Sequence, residues 1–416
     1  MGITPAVVDF VEKVEKNLMD NQYKKLDEIA AINQLKVLTA MQKNRLSDTH
    51  FNDSTGYGYD DEGRHAMEGI FADTFKTEAA LVRPQIVSGT HALALAMFGN
   101  LRPGDVLYSP VGSPYDTLES VIGIRPASGS LAEYGVEYRQ TDLLPSGDFD
   151  MENIIKALAD KPKMATIQRS KGYSWRHSFT VDKINQLIGC IRKISPDTII
   201  LVDNCYGEFV EIDEPSAADI FVGSLIKNPG GGIALGGAYV AGKAKYVEAA
   251  AERLTAPGIG SAVGPSLGMT RNILQGFFIA PQTVASSVKG AVLAAALFEA
   301  LGFEVSPGPN APRTDIVQAI KLKNGENILA FCKGVQMGAP VDSYVTPEED
   351  AMPGYDSGVV MAGGTFIQGS SIELSADAPM REPFIVYLQG GITAAHARSG
   401  VIFALDQLYK AGAIQL

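Results

Sequence analysis

Between residues 66 and 285, short apolar runs alternate with stretches whose apolar positions recur every three or four residues. The runs at 85–87, 105–108, 136–138, 164–167, 198–202, 220–222 and 237–241 are mostly apolar on consecutive positions rather than on every second one, and helix-length segments separate several of them. That pattern predicts an α/β domain whose mostly parallel central sheet is flanked by helices on both faces. In such sheets ligands gather at the carboxyl ends of the strands. Upstream, Val8, Phe10, Val11, Val14 and Leu18, then Ile29, Ile32, Leu35, Leu38 and Met41, keep helical spacing among polar residues and predict two amphipathic helices. The polar, glycine-bearing stretch 50–64 reads as a loop. Downstream, an alanine-rich helix at 285–301 stops at Gly302, a strand follows at 303–305, and the chain closes with a strand at 384–388, Gly390-Gly391 and a helix at 392–410. The expected organisation is an N-terminal helical arm with its loop (1–65), a large α/β domain (66–285) and a smaller C-terminal α+β domain (286–416).

Composition narrows the function without naming it. The chain has 416 residues, 46% of them hydrophobic and 20% charged, enough for a large core. A formal charge of −12 argues against nucleic acid or an anionic membrane as partner and favours a small-molecule substrate. Cys190, Cys205 and Cys332 are too widely spaced for a disulfide framework or a Cys-x-x-Cys metal site, and read as reduced thiols of a cytoplasmic protein. The N-terminus lacks the basic start and apolar run of a signal peptide, and the longest apolar stretches are broken by charge. His50, His65, His91, His177 and His396 show no zinc-type spacing, so no metal is expected.

Two residues carry most of the chemistry. Asp203 ends the apolar run at 198–202, and Lys227 opens a glycine-rich turn that continues to Gly232. A strand-end carboxylate and a lysine that follows apolar residues suit a pyridoxal-phosphate site: the amine joins the aldehyde and the carboxylate keeps the pyridine nitrogen protonated. Taken singly, Asp203 reads as a loop cap and Lys227 as a surface lysine. A covered lysine is expected to have a lowered pKa. Ser88-Gly89-Thr90-His91 precedes the apolar helix starting at Ala92; free N–H groups, the helix dipole and the Thr90 hydroxyl make it a phosphate site, although Ser88 could equally be a plain cap. Tyr115 follows the next strand and can stack on a flat ring, or serve as a core tyrosine. Ser224 is a second phosphate candidate. Arg169, Lys171 and Arg176 lie in one loop, read as substrate-facing, where they could attract a carboxylate or stay solvated. Two motifs are rejected: the P-loop spacing at 237–243 has Ala244 where Ser or Thr belongs, and the nucleophile-elbow letters at 264–268 follow no strand.

The order Ser88-Gly89-Thr90, Tyr115, Asp203, Ser224, Lys227 and a late arginine resembles the fold-type I pyridoxal-phosphate enzymes. More narrowly, GYGYDDEGR at 56–64, QRSKGY at 168–173, VDNCYGEF at 202–209, SLIKNPGGG at 224–232, and REPF at 381–384 with QGG at 389–391 resemble the methionine γ-lyase-like family, also called aluminium resistance proteins or cystathionine β-lyase-like proteins. The resemblance runs nearly the full length. It implies that Lys227 is the cofactor-bearing lysine, Asp203 the pyridine-nitrogen partner, Tyr115 the stacking ring, and Ser88, Gly89, Thr90 and Ser224 the phosphate cradle. It further implies that Arg381 and Gln168 meet the substrate, and that Tyr59 and Arg64 reach the cofactor or substrate of a neighbouring subunit in a dimer or tetramer. The expected activity is carbon–sulfur lysis of a sulfur-containing amino acid; transamination, racemisation and a non-catalytic cofactor-binding stress-response protein are the alternatives. Two positions depart from the better-studied cystathionine and methionine lyases: Ile226 replaces the threonine before the lysine, and Tyr59 and Arg64 stand farther apart than the usual Tyr-x-Arg pair.

Overall fold

Two helices open the chain: α1 (Pro5–Leu18) and α2 (Lys24–Lys43), joined without a break by one π-helical turn at Met19–Tyr23. There follow α3 (Glu62–Phe75), β1 (Ala79–Arg83), α4 (Gly89–Asn100), β2 (Val106–Ser109), α5 (Asp116–Ile122), β3 (Glu137–Gln140), α6 (Met151–Leu158), β4 (Met164–Gln168), α7 (Val181–Ile194), β5 (Ile199–Asp203), β6 (Ile220–Ser224), β7 (Ala238–Gly242) and α8 (Ala244–Leu254). The chain continues through α9 (Thr270–Ala300), β8 (Val305–Ser306), β9 (Gln318–Lys321), α10 (Gly325–Met337), β10 (Glu349–Asp350), β11 (Val359–Ala362), β12 (Ser375–Pro379), β13 (Ile385–Gln389) and α11 (Ala394–Lys410). The computed structural model describes residues 2–351 and 357–416, apart from the Asp20 side chain.

The large sheet has the order β1-β7-β6-β5-β4-β2-β3. Its strands from β3 to β6 are parallel, as the consecutive apolar runs predict, and β5, β6 and β7 are buried at every position. Two features differ from the sequence reading. β7 is antiparallel to both neighbours. The first strand lies at Ala79–Arg83, not at 85–87: Pro84 has no N–H to extend the ladder, and Gln85, Ile86 and Val87 turn the chain into α4. Parallel pairing aligns Gln168 with Asp203 and Asp203 with Val222, so the carboxyl ends of β4, β5 and β6 form one edge.

The N-terminal arm is part of the core. α1 buries Val7 and Val11 and packs on α9 and α11, while α2 packs on α9 and α3. The apolar positions read from sequence do not all face inward: Ile32, Leu35 and Leu38 are exposed, and α2 buries Leu26, Ala30, Asn33, Val37 and Ala40. Asn33 explains the rotation. Its Nδ2 donates to the carbonyls of Phe209 and Glu211 at 3.1 and 3.0 Å, satisfying backbone acceptors that an apolar residue would leave unpaired.

α9 is the molecular spine, 31 residues long and continuous through Pro281. It is long and apolar enough to cross a bilayer, but 78% of its most apolar window is buried inside the protein, as a core helix would be. It extends well upstream of the helix read at 285–301, so the 285/286 boundary falls inside it, and the 65/66 boundary falls inside α3. Beyond α9, a six-stranded sheet of order β10-β11-β12-β13-β9-β8, antiparallel throughout, packs with α9, α10 and α11 as the α+β portion. Its strand read at 303–305 is instead the short β8, Val305–Ser306.

Candidate active site

At the start of α4, Ser88 Oγ accepts the His91 N–H at 3.0 Å and caps the helix, leaving the first-turn N–H groups of Gly89 and Thr90 for an anion. Gly89 sits in a tight place: a Cβ there would come 3.0 Å from Cys205 Sγ and 3.6 Å from Ser224 Cβ. The helix therefore begins directly against the turn after β5 and the end of β6, where Ser224 is buried. Thr90 Oγ1 lies 2.8 Å from the Tyr115 hydroxyl. Tyr115 in turn donates its N–H to Gln168 Oε1 at 2.9 Å, and Gln168 Nε2 donates to the Ser170 carbonyl at 2.9 Å. The Gln168 amide, expected from sequence to meet the substrate, thus holds the Tyr115 loop with both of its ends.

Asp203 is buried at the end of β5, with its Oδ1 accepting the Cys205 N–H at 3.1 Å. Burial pushes its carboxyl above the ordinary range, while that N–H and the Lys227 charge pull it back. Lys227 begins a short 3-10 turn, Asn228–Gly230, and its Nζ lies 3.6 Å from the centroid of the Tyr206 ring. Burial alone would lower the Lys227 ammonium, as the sequence suggests. The electrostatic pull of Tyr206, Cys205 and Asp203, together with a Tyr206 hydrogen bond, outweighs burial and holds it above the ordinary lysine value. The expectation of a lowered amine is thus overturned by the lysine's neighbours.

The C-terminal portion supplies groups that sequence reasoning missed. Asp377 on β12 faces the same space: Gln389 Nε2 donates to its Oδ2 at 3.1 Å, and its carboxyl is pushed up to about 6 by burial, against a Tyr173 hydrogen bond and the nearby Lys227 charge. The segment before β12 rests on Ile226, since a Cβ on Gly369 would meet Ile226 Cδ1 at 3.8 Å. Glu373 fixes that segment by accepting the N–H groups of Phe366 and Ile367 at 2.8 and 3.0 Å. The alternating buried pattern around a lone acid in Ser375–Pro379 is the sequence signal that could have singled out Asp377.

Three expected site residues are not joined to this group by any contact among the described residues. Tyr59 is exposed, its ring 5.4 Å from that of Tyr57. Arg64 is buried in its own chain, its Nη1 donating to the carbonyls of Gly58 and Gly264 at 2.6 and 2.8 Å and its Nη2 to Ala262 at 3.2 Å. Its guanidinium, expected from sequence to reach a neighbouring subunit's site, staples two loops of its own chain. Arg381, expected from sequence to meet the substrate, occupies the exposed turn between β12 and β13. The basic loop after β4 is also internal rather than solvated. Arg169 pairs with Glu211 and Glu214 at 2.6 and 3.3 Å, Lys171 Nζ donates to the Ser306 carbonyl at 2.7 Å, and Arg176 Nη2 donates to the Gln168 and Ser170 carbonyls at 3.0 and 2.7 Å.

The groups that do converge fit pyridoxal phosphate by their chemistry. Lys227 offers an amine, Asp203 a buried carboxylate, Tyr115 an aromatic face, and the start of α4 with Thr90 and Ser224 offers N–H and hydroxyl donors. The missing Cβ of Gly89 leaves that cradle open. Comparison with known proteins points the same way. The family described as Methionine gamma-lyase matches residues 7–409. The Bacillus subtilis (strain 168) protein YnbB is 48% identical over 392 residues, covering 93% of each chain. A solved carbon–sulfur lyase involved in aluminium resistance from Clostridium novyi NT is 47% identical, covers 98% of this chain and 96% of its own, and superposes with a TM-score of 0.93. A proposed cystathionine beta-lyase involved in aluminium resistance from Listeria monocytogenes is 50% identical over 96% of this chain and 99% of its own, with a TM-score of 0.94.

Proposed function

The chain belongs to the methionine gamma-lyase family, and from that premise we propose that it is a pyridoxal-phosphate-dependent carbon–sulfur lyase acting on a sulfur-containing amino acid of the cystathionine or methionine type. The observation that carries this reading is the convergence of Lys227, Asp203, Tyr115 and the α4 N-terminus at one sheet edge. Bound there, pyridoxal phosphate supplies an aldehyde carbon that joins amines and a ring that accepts electrons. The α4 N–H groups and the hydroxyls of Thr90 and Ser224 hold the phosphate. Asp203 holds a proton on the pyridine nitrogen, and its burial shields that contact from water. Tyr115, fixed by Gln168 and Thr90, offers the ring face for stacking. Lys227 Nζ takes the α-proton of the amino acid, which prepares loss of the thiol from the β or γ carbon. Hydrolysis of what remains gives a 2-oxo acid and ammonia.

The protein acts as a homo-oligomer in this reading. Exposed Tyr57 and Tyr59, and the apolar stripe of Ile32, Leu35 and Leu38 on α2, suit contact with a second copy, where Tyr59 could reach the neighbour's site. Three free cysteines suit a reducing, cytoplasmic setting. Product analysis with cystathionine, methionine and cysteine is the test. The reading requires thiol, 2-oxo acid and ammonia in equal amounts; amino transfer dependent on an added 2-oxo acid, without thiol release, would refute it.

A further inference from the structure

The residues beside Lys227 include one that the cofactor assignment leaves unused. Tyr206 sits three residues past Asp203, in a turn that no ordinary side chain favours: its φ is 74°, and Phe209 follows at 62°. The turn is held open on several sides. Gly207 must be glycine, because a Cβ would come 2.4 Å from Arg169 Nη1. Arg169 is itself fixed by Asn204 at 2.7 Å, Glu211 and Glu214. Most telling is Asn228, the residue after Lys227, whose Nδ2 donates to the Tyr206 and Glu208 carbonyls at 2.9 Å each. The lysine's own neighbour thus clamps the backbone of the tyrosine that the lysine touches.

We propose that Tyr206 is the positioning residue for Lys227, its ring and phenol fixing the amine in one place. The Nζ lies 3.6 Å from the ring centroid, a cation–π contact, with the phenol as a polar neighbour. Other groups facing the amine are Asp203 and Cys205 on the turn after β5, Tyr115 on the loop before α5, and Asp377 on β12. Asp203 and Asp377 attract the ammonium, but neither lies within ion-pair distance of it among the described residues, so the closest assigned contact is the ring. Tyr206 also packs toward Val317, Ala319, Ile385 and Tyr387, and so joins the lysine to the C-terminal sheet. This inference goes beyond the proposed activity and holds whatever the sulfur substrate is.

The test reads the amine directly. In the full-length protein stripped of cofactor, Lys227 is acetylated under limiting reagent across pH 7 to 11, and the modified peptide is quantified by mass spectrometry against surface lysines. Removing the ring and phenol in Tyr206→Leu should make Lys227 react about tenfold faster at pH 8, and Tyr206→Phe, which keeps the ring, about threefold faster. Circular dichroism establishes that each variant is folded. If Tyr206→Leu does not fold, Tyr206→Phe decides alone: an unchanged Lys227 rate profile overturns the proposal. If both fold, wild-type profiles in both overturn it.

Discussion

Lys227 and Lys171 are two covered lysines at the same end of the molecule, and their surroundings push them in opposite directions. Lys171 is lowered to about 8, first by burial and further by Arg313 and Arg176, with Asp315 opposing. Lys227 is only half-buried, and its neighbours hold it above the ordinary lysine value. On a simple rule that a reactive lysine is one with a depressed pKa, Lys171 would be the better candidate. The difference teaches that burial does not choose the reactive lysine. The company does: beside Lys227 stand the Asp203 carboxylate and the Tyr206 ring, whereas Lys171 donates to Ser306 with Asp315 on one side and two arginines on the other.

The largest break between the two should come from substitution. Lys227→Ala is expected to lose at least about 10³-fold in kcat, because the base and the cofactor attachment vanish together. Lys171→Met is expected to lose less than about tenfold in kcat measured on the same substrate, since it removes one hydrogen bond and no reacting group. Comparable losses in both variants would erase the distinction.

A finer contrast appears in stability against pH. A lysine depressed in the folded state makes its charged form costly, and that cost shrinks as pH rises from the folded value toward the unfolded one, here from about 8 toward 10.5. Lys227 behaves oppositely: its raised folded value gives stability that is complete below the unfolded lysine value and is lost only above it. Denaturant unfolding at pH 8 and 9.5 should therefore show wild type gaining about 1 to 2 kcal/mol relative to Lys171→Met. The buried thiols Cys205 and Cys332, held above the ordinary range chiefly by burial, pull both proteins equally the other way and cancel in that difference. The smallest effect belongs to the support of the site. Gln168→Ala frees the Tyr115 N–H and should lower kcat/KM by about three- to tenfold, with the Lys227 side of the site intact.

The Lys227 side was more legible in sequence than the rest because its chemistry is local. Asp203 at a strand end, Ser88-Gly89-Thr90 before a helix and Ser224 before the lysine each depend on a short segment; parallel pairing then sets the ends of β5 and β6 side by side, and α4 starts against them at Gly89. Other features depend on contacts between distant segments. The rotation of α2 follows from Asn33 meeting carbonyls about 176 positions later in the chain; the internal stapling by Arg64 needs the loop near 262–264. The antiparallel direction of β7 is a matter on which apolar content is silent. Tyr206 lay inside a motif that was noticed, but its place under the lysine required a left-handed backbone that sequence does not announce.

The most direct test of the central claim is to reduce the cofactor-loaded protein with borohydride, digest it and locate the pyridoxyl group by peptide mass spectrometry. The account predicts that the group is found on Lys227. A pyridoxyl group on Lys171, or on any other lysine, would contradict it, as would a reduced protein that carries none after incubation with excess pyridoxal phosphate.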